Sequence, residues 1–359
     1  MDNRKIKVGI THGDINGIGY EIILKTLEDP RIAELCTPIV YGSAKIAAFY
    51  RKMMELPEVK FSQIDTPSEA GSNCEHNYMI NVVPESVMPE AGQCTQAGGA
   101  AALSALERAV SDLREGLIDV LVTCPISKDA IHGEEFSFPG HTEFLESRVG
   151  DGSKAMMIMA GENLRVALVT IHKSLADVSG NITKETVYDS IARFNKSLIS
   201  DFGIHSPRIA VLSLNPHAGD NGVIGTEDNE IIEPAIAEAY KKHIFAFGPY
   251  AADGFFGSGN YRKFDGVLAM YHDQGLAPFK ALARCAGVNY TAGLPVVRTS
   301  PDHGTAYDIA GRGEADPTSM RQAIYAAIDI WRARRRYAEM SADPLKINPP
   351  AREKKKAQQ

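Results

Sequence analysis

The chain has 359 residues, of which 44% are hydrophobic and 23% are charged, and its formal net charge is -7 at pH 7. This length exceeds what one compact core needs, which predicts two domains or one large α/β unit. The composition excludes disordered and fibrous proteins, and the acidic balance argues against nucleic acid as the main partner. A few local cations are still enough to bind a small anionic substrate.

The sequence argues against a membrane protein, because no apolar run approaches the roughly 20 residues that span a bilayer. Its first residues lack the apolar stretch of a signal peptide, so we predict a cytoplasmic location. The five cysteines are scattered and form no C-x-x-C pair. This spacing argues against structural disulfides and against a cysteine zinc site.

Short apolar runs alternate with helical patterns along the chain, which predicts an α/β fold with a largely parallel sheet. The predicted buried strands are Ile6 to Ile10, Ile39 to Tyr41, Val120 to Val122, Val166 to Ile171, Ile209 to Leu214 and Val267 to Tyr271. Apolar residues at spacings of three and four predict amphipathic helices around Leu103 to Leu117 and Val187 to Leu198. The polar segment 346–359 is predicted to be a disordered tail.

Two loop segments contain glycines that suit the approach of a phosphate or a dinucleotide. Thr11 to Glu21 follows the first strand and resembles a phosphate-binding loop, but its glycine spacing matches neither the Rossmann nor the Walker motif. A tight turn from strand to helix explains this segment equally well. The second segment, Asp302 to Gly311, suits a nucleotide ribose and adenine, with an ordinary polar loop as the alternative.

Three histidines follow predicted buried strands at equivalent positions. His172 and His272 come directly after their strands, and His217 follows its strand in the sequence Asn-Pro-His. Ligands bind at the carboxyl edge of open α/β sheets, and three neutral imidazoles there suit zinc or a similar divalent ion. A single histidine after a strand is more commonly a loop or capping residue, so the prediction depends on the repetition of the pattern. Candidates for hydrogen bonds that fix the imidazole tautomers are Asp220, Asp273 and Gln274.

Residues suited to an anion lie near these histidines in the sequence. Phe138 to Glu143 offers a glycine turn, an imidazole and a hydroxyl just before a predicted helix, and helix N-termini favour phosphate or carboxylate. Lys280 lies eight residues after His272, and Arg298 follows within the next eighteen. A surface role is the default for each cation alone, but their grouping around His272 favours an active site.

Seven segments of the sequence resemble the 4-hydroxythreonine-4-phosphate dehydrogenase family of the vitamin B6 pathway. They are THGDINGIGYE, CPISK, FPGHTEF, LNPHAGDNGVIGTE, MYHDQGLAPFK, GVNYTAGLPVVRTSPDHGTAYDIAG and ADPTS. The resemblance implies an isocitrate/isopropylmalate-dehydrogenase-like α/β fold, with two α/β/α domains and a cleft between them. We expect residues 1–130 and 300–345 to form the first domain, on the cofactor side, and residues 131–299 to form the second. A homodimer whose active sites lie at the interface is also implied.

The resemblance also implies functions for individual residues. The metal ligands, for zinc or else magnesium or cobalt, are His172, His217 and His272. The substrate-binding residues are His141, Thr142, Lys280, Asn289 and Arg298. The NAD-binding residues are His303, Gly304, Thr305, Asp308 and Ala310. Asp253 also falls on an active-site position of the family, and the candidates for the catalytic base are Lys280 and Asp253.

The activity that the resemblance implies is the NAD-dependent oxidative decarboxylation of 4-phosphohydroxy-L-threonine. The first loop departs from the common family pattern at Ile15, Asn16 and Tyr20, which leaves other substrates open. The alternatives within the dehydrogenases are a threonate or erythronate phosphate and a cyclic dihydrodiol acid. Outside that class, a phosphate acyltransferase has a related fold but no need of three imidazoles on a metal. A non-catalytic metal-binding module would not need the anion-binding residues.

Overall fold

A computed structural model of the protein describes residues 4–71, 76–131, 138 and 140–343. The tail predicted for residues 346–359 lies outside these ranges. Across the described ranges, no helix is both long and apolar enough to cross a membrane.

The described strands form one sheet of twelve. They are β1 (Ile6–Thr11), β2 (Cys36–Gly42), β3 (Phe61–Gln63), β4 (Asn77–Asn81), β5 (Val120–Thr123), β6 (Met156–Ala160), β7 (Arg165–Leu168), β8 (Arg208–Leu212), β9 (Phe245–Tyr250), β10 (Gly266–Ala269), β11 (Val288–Ala292) and β12 (Arg298–Pro301). Their order across the sheet is β3-β4-β2-β1-β5-β12-β11-β6-β7-β10-β8-β9. The predicted boundary after residue 299 falls within β12, and the division into two domains stays a prediction.

The sheet is parallel except at its centre, which confirms the prediction of a largely parallel α/β sheet. The antiparallel pairings are β12 with β11, β11 with β6, and β6 with β7. Three successive reversals make β7, β10 and β8 run opposite to β1, β5 and β12. The carboxyl ends of the two parallel halves therefore lie at opposite edges of the sheet.

Helices connect the strands. They are α1 (Gly19–Leu27), α2 (Pro30–Leu35), α3 (Ala44–Met53), α4 (Gln96–Arg114), α5 (Lys128–Ile131), α6 (His141–Val149), α7 (Leu175–Asn181), α8 (Lys184–Ser200), α9 (Glu233–Lys241), α10 (Ala252–Gly257), α11 (His272–Ala283) and α12 (Thr318–Ser341). All residues of β2, β5 and β10 are buried, as parallel strands are when helices cover both faces of the sheet.

The two helices predicted from apolar spacing are α4 and α8. The Thr95 hydroxyl begins α4 by accepting a hydrogen bond from the Gly98 amide at 3.1 Å, and Thr183 caps α8 in the same way at 3.2 Å. The apolar spacing predicted a helix that continues to Leu117, but α4 ends at Arg114. Gly116 follows that end with a φ of 72°, a conformation that glycine adopts without strain and that stops a helix.

The glycine-rich segment after β1 is a buried turn into α1. Residues 11–18 are all buried. A Cβ on Gly17 would lie 2.7 Å from the Thr305 carbonyl oxygen, and the Ile18 amide donates to that oxygen at 3.0 Å. The close approach of two backbones requires glycine at residue 17. This geometry favours the turn interpretation over a phosphate-binding loop.

Candidate active site

The three histidines follow three neighbouring parallel strands. β10 lies between β7 and β8 and runs parallel to both. His172 follows β7, His272 begins α11 directly after β10, and His217 follows β8. All three therefore lie at one edge of the sheet, as the strand pattern predicts.

His172 and His272 lie close together, with ring centroids 6.2 Å apart. Their side chains are 47% and 42% exposed, so a ligand can reach both rings. Burial and then the Lys128 ammonium lower the pKa of His172, so the ring is neutral at neutral pH and has a lone pair for a metal. His272 Nδ1 lies 2.7 Å from Asp273 Oδ1, a contact that leaves Nε2 free when Nδ1 carries the proton.

His217 is exposed and begins a left-handed turn. The left-handed residues of this turn that are not glycine are His217, Ala218, Asp220 and Asn221, with φ between 44° and 56°. Such backbone is costly for L-residues and is concentrated in functional loops. The buried Asp228 carboxylate holds the preceding residues, because it accepts hydrogen bonds from the Leu214 amide at 2.7 Å and the Asn215 amide at 3.1 Å.

The residues present fit a divalent metal by the chemistry of their donors. Neutral imidazole is a preferred ligand of zinc and of related ions, and His172 and His272 supply two such rings side by side. In the described part of the chain, no three His, Cys, Asp or Glu side chains are grouped closely enough to hold a metal. A four-coordinate site therefore needs a donor beyond this pair.

A cavity of about 210 Å³ lies over the antiparallel centre of the sheet, with Met157 of β6, Asn289 of β11 and Arg298 of β12 in its wall. The predicted site residues that line it are His141, Thr142, His172, Asn289, Arg298, His303 and Gly304. The predicted site residues outside its lining are His217, Asp253, His272, Lys280, Thr305, Asp308 and Ala310. The tertiary structure thus brings together four of the five predicted substrate residues.

Arg298 is the buried cation of this cavity and is only 2% exposed. Its Nε and Nη2 donate to the Thr123 hydroxyl at 3.0 and 2.6 Å, and its Nη1 donates to the Thr291 hydroxyl at 3.1 Å. No carboxylate of the described residues lies within ion-pairing distance. Burial lowers the pKa of Arg298 to about 9, which leaves the guanidinium charged at neutral pH. A buried charge without a counter-ion favours the binding of an anion.

Four buried polar atoms around the cavity have no hydrogen-bond partner among the described residues. They are His141 Nε2, Glu143 Oε2, Asn289 Oδ1 and His303 Nε2. Buried polar atoms are normally satisfied, so a group of unsatisfied ones marks a place for a polar ligand. Burial and then the Arg298 charge lower the pKa of His141 well below its ordinary value, and its ring is neutral. The cavity therefore suits a small, polar, anionic molecule.

The two candidates for the base lie in different surroundings. Lys280 Nζ lies 3.2 Å from both the carbonyl oxygen and Oδ1 of Asp302, whose neighbour His303 lines the cavity. The Lys280 ammonium is therefore held beside the cavity by a largely buried carboxylate. Asp253 is exposed on α10, and its Oδ1 accepts a hydrogen bond from the Gly254 amide at 2.7 Å.

The segment predicted to bind the cofactor forms one wall of the cavity and packs on the loop after β1. His303 and Gly304 line the cavity, whereas Asp308 is exposed to solvent. The Tyr307 hydroxyl donates to Asp14 Oδ2 at 2.7 Å, which ties the segment to the first loop. The segment thus continues from the cavity to the surface.

Sequence reasoning missed several side chains of the cavity. Lys128 and Glu143 lie in the quoted segments CPISK and FPGHTEF but were not singled out, and both line the cavity. Thr123 and Thr291 could not be found from the sequence, because their contacts with Arg298 depend on the pairing of β5 and β11 with β12.

Comparisons with known proteins agree on one family. The family model described as pyridoxal phosphate biosynthetic protein PdxA matches residues 34–327. A curated 4-hydroxythreonine-4-phosphate dehydrogenase from Bacteroides thetaiotaomicron is 57% identical over 96% of this chain and 94% of its own. A putative D-threonate 4-phosphate dehydrogenase from Oceanobacillus iheyensis is 38% identical over 91% of this chain and 98% of its own.

The fold has a close counterpart among solved structures. The crystal structure of a 4-hydroxythreonine-4-phosphate dehydrogenase from Klebsiella pneumoniae aligns with a TM-score of 0.79 and 34% identity, covering 92% of this chain and 98% of that one.

Proposed function

The chain belongs to the PdxA family of pyridoxal phosphate biosynthetic proteins, and on that premise we propose that it is an NAD-dependent 4-hydroxythreonine-4-phosphate dehydrogenase. It oxidises 4-phosphohydroxy-L-threonine and releases carbon dioxide, to give 3-amino-2-oxopropyl phosphate and NADH. The observation that carries this proposal beyond family membership is the buried Arg298, which forms no ion pair with a described residue and lies among unsatisfied polar atoms in one cavity.

The phosphate of the substrate binds at Arg298, with His141 and Thr142 beside it. A guanidinium held by two threonine hydroxyls is fixed in orientation, so little conformational entropy is lost when it binds an oxyanion. His141 and Thr142 are the first two residues of α6, where helix amides favour negative charge. The phosphate does not react, but its binding energy holds the reacting carbon in the correct orientation.

Family membership implies a nicotinamide cofactor and a divalent metal ion. When bound, the metal supplies Lewis-acid chemistry at the substrate hydroxyl and the nicotinamide accepts the hydride. His172 and His272 would hold the metal, with His217 as the third ligand. Residues 303–310 would hold the cofactor, and the fact that His303 and Gly304 line the cavity supports this proposal.

Lys280, in its neutral amine form, accepts the hydroxyl proton and becomes an ammonium. Its Nζ lies 3.2 Å from Asp302 Oδ1, next to the cavity wall, where the carboxylate stabilises the charge that the amine gains. Asp253, exposed and bonded to its neighbour's amide, is the alternative base. A base must come within hydrogen-bond distance of the proton that it removes.

The protein acts as a homodimer with shared active sites. The edge strand β9 exposes Phe245 and Phe247, and Val223 and Ile224 are exposed next to the His217 turn. Exposed apolar side chains on an unpaired strand edge favour association with a second copy. A partner subunit that covers this region is also in position to complete the metal site near the exposed His217.

The second candidate is oxidation of D-threonate 4-phosphate, because one relative with that name matches nearly the full chain. The two substrates differ at the amine, which the threonate compound lacks. Incubation of the metal-loaded protein with each compound and NAD, with NADH and carbon dioxide both quantified, separates the candidates. We expect equal amounts of both products from 4-phosphohydroxythreonine. Turnover of the threonate compound alone would replace the proposed substrate, and absence of NADH from both would reject the dehydrogenase.

A further inference from the structure

Glu143 is the carboxylate of the cavity wall, and it belongs to none of the proposed substrate, metal and cofactor residues. Of the described residues that line the cavity, it is the one acidic side chain. It is the third residue of α6, where glutamate commonly bonds back to the start of its helix. Here the carboxylate makes no such bond, and its Oε2 is buried without a hydrogen-bond partner among the described residues.

The carboxylate lies nearer to a proposed metal ligand than to the buried cation. Glu143 Oε1 is 4.0 Å from His172 Nδ1, whereas no ion pair joins Glu143 to Arg298 in the described part of the chain. The Glu143 charge stabilises the Arg298 guanidinium from beyond ion-pairing distance. Both side chains are partly exposed toward the cavity, at 36% for Glu143 and 47% for His172, so a rotation of either can shorten this contact to a hydrogen bond.

We propose that Glu143 is a positioning residue for His172, whose Nδ1–H donates to the carboxylate so that Nε2 is presented to the metal. The inference rests on the proposed function, because it requires His172 to be a metal ligand. A carboxylate that accepts from the second ring nitrogen fixes the tautomer and the ring orientation and makes the imidazole a better ligand. Asp273 occupies the corresponding place for His272, 2.7 Å from its Nδ1.

The pair of Glu143 and His172 resembles the pair of Asp273 and His272, and this resemblance supports the proposal. In each pair a carboxylate from the first turn of a helix faces Nδ1 of a histidine at the sheet edge: α6 supplies Glu143, and α11 supplies Asp273. The two rings, whose centroids are 6.2 Å apart, then both present Nε2 to the proposed metal. Glu143 comes from a distant part of the chain, so α6 couples the phosphate-binding residues at its start to the metal site.

The test is the affinity of the metal-free protein for Zn²⁺, measured by competition with a chromogenic chelator and without substrate or NAD. The variants are Glu143→Ala, Glu143→Gln, His172→Ala and the double variant Glu143→Ala/His172→Ala. Glu107→Gln is the control, since Glu107 pairs with Arg148 at the surface at 3.6 Å, outside the cavity. Circular dichroism and the thermal midpoint establish that each variant is folded.

We expect Glu143→Ala to weaken Zn²⁺ binding about 10- to 100-fold, which is the usual effect of removing the hydrogen-bond partner of a metal ligand. Glu143→Gln should recover part of that loss, because its amide oxygen can still accept from Nδ1–H. The double variant should bind no more weakly than His172→Ala, since the effect passes through that ring. Glu107→Gln should bind like the unaltered protein.

Two results would overturn the inference in distinguishable ways. If His172→Ala weakens binding and Glu143→Ala does not, Glu143 has no positioning role while the proposed metal site stands. If folded His172→Ala binds Zn²⁺ as tightly as the unaltered protein, the proposed metal ligand is wrong, and the role of Glu143 fails with it.

Discussion

Arg298 and Thr123 are joined by two hydrogen bonds, from Nε at 3.0 Å and from Nη2 at 2.6 Å to the same hydroxyl oxygen. A lysine cannot make this paired contact, because its ammonium is a single point of charge. The threonine thus fixes the plane of the guanidinium that faces the cavity, and the direction in which an anion binds.

We expect Arg298→Lys to lower kcat/KM about 10- to 100-fold, since hydrogen bonds to charged groups are worth about 1.5–3 kcal/mol. Thr123→Val should lower it in the same direction, because the guanidinium loses its orientation. Steady-state kinetics with the phosphorylated substrate measure both effects. Arg31→Lys is the control, since Arg31 pairs with Asp29 at the surface. Unchanged kinetics in Arg298→Lys would show that the phosphate binds elsewhere.

Removal of the metal should abolish turnover. We expect exhaustive chelation to eliminate NADH production and Zn²⁺, Mg²⁺ or Co²⁺ to restore it. His172→Ala, His217→Ala and His272→Ala should each lower kcat by about two orders of magnitude or more, because the Lewis acid is lost. His205→Ala, an exposed histidine away from the cavity, should leave kcat unchanged. Full activity with metal absence confirmed by elemental analysis would reject the metal requirement.

The stability of the protein should fall in mild acid because of His12. This ring is fully buried, and burial lowers its pKa to about 4 against the opposing effect of the Gly13 backbone. Between pH 6.5 and 4 the unfolded chain binds a proton at His12 that the folded protein does not bind. Stability is therefore full above pH 6.5 and decreases as the pH falls, by at most about 3 kcal/mol from this residue.

His12→Phe should remove that part of the pH dependence, since phenylalanine does not titrate and can keep the stacking on Tyr20 at 5.3 Å. The measurement is the free energy of unfolding in urea at pH 7.5 and pH 5. His12→Gln is the second variant, in case the larger ring does not fit. If both variants lose as much stability between the two pH values as the unaltered protein, His12 is not the cause.

Subunit mixing should reveal which histidine crosses the proposed dimer interface. His172 and His272 lie side by side in one chain, and Lys280 lies beside the wall of the cavity that His172 lines. We therefore expect mixtures of Lys280→Ala with His172→Ala or His272→Ala to stay inactive. A mixture with His217→Ala should recover about a quarter of full activity, because half of the exchanged dimers are mixed and each holds one intact site of two.

The control for this experiment is the unaltered dimer taken through the same exchange, with mixed dimers identified by mass. If none of the three mixtures recovers activity while mixed dimers are present, the active site lies within a single chain. Recovery with His272→Ala would instead place that histidine in the partner's site.

Local sequence patterns determined much of the fold. Apolar runs in the sequence predicted β1, β2, β5, β7, β8 and β10. Strands that are covered on both faces consist mostly of apolar residues, so they can be recognised without knowledge of distant parts of the chain. The three histidines followed from the same pattern, because a residue just after a parallel strand must lie at the edge of the sheet. The family motifs pointed to His141, Asn289 and Arg298 as predicted substrate residues, and these three line the cavity.

The tertiary structure alone decided which of these residues meet. β11 and β12 are short and partly polar, and they were not predicted as strands; their pairing at the antiparallel centre brings Thr123 and Thr291 to Arg298. Glu143 and His172 are separated by the rest of α6 and two strands in the chain, and only the folded structure brings them to within 4.0 Å. Spacing along the sequence carries no information about such contacts, since strand order and direction are set by packing of the whole sheet.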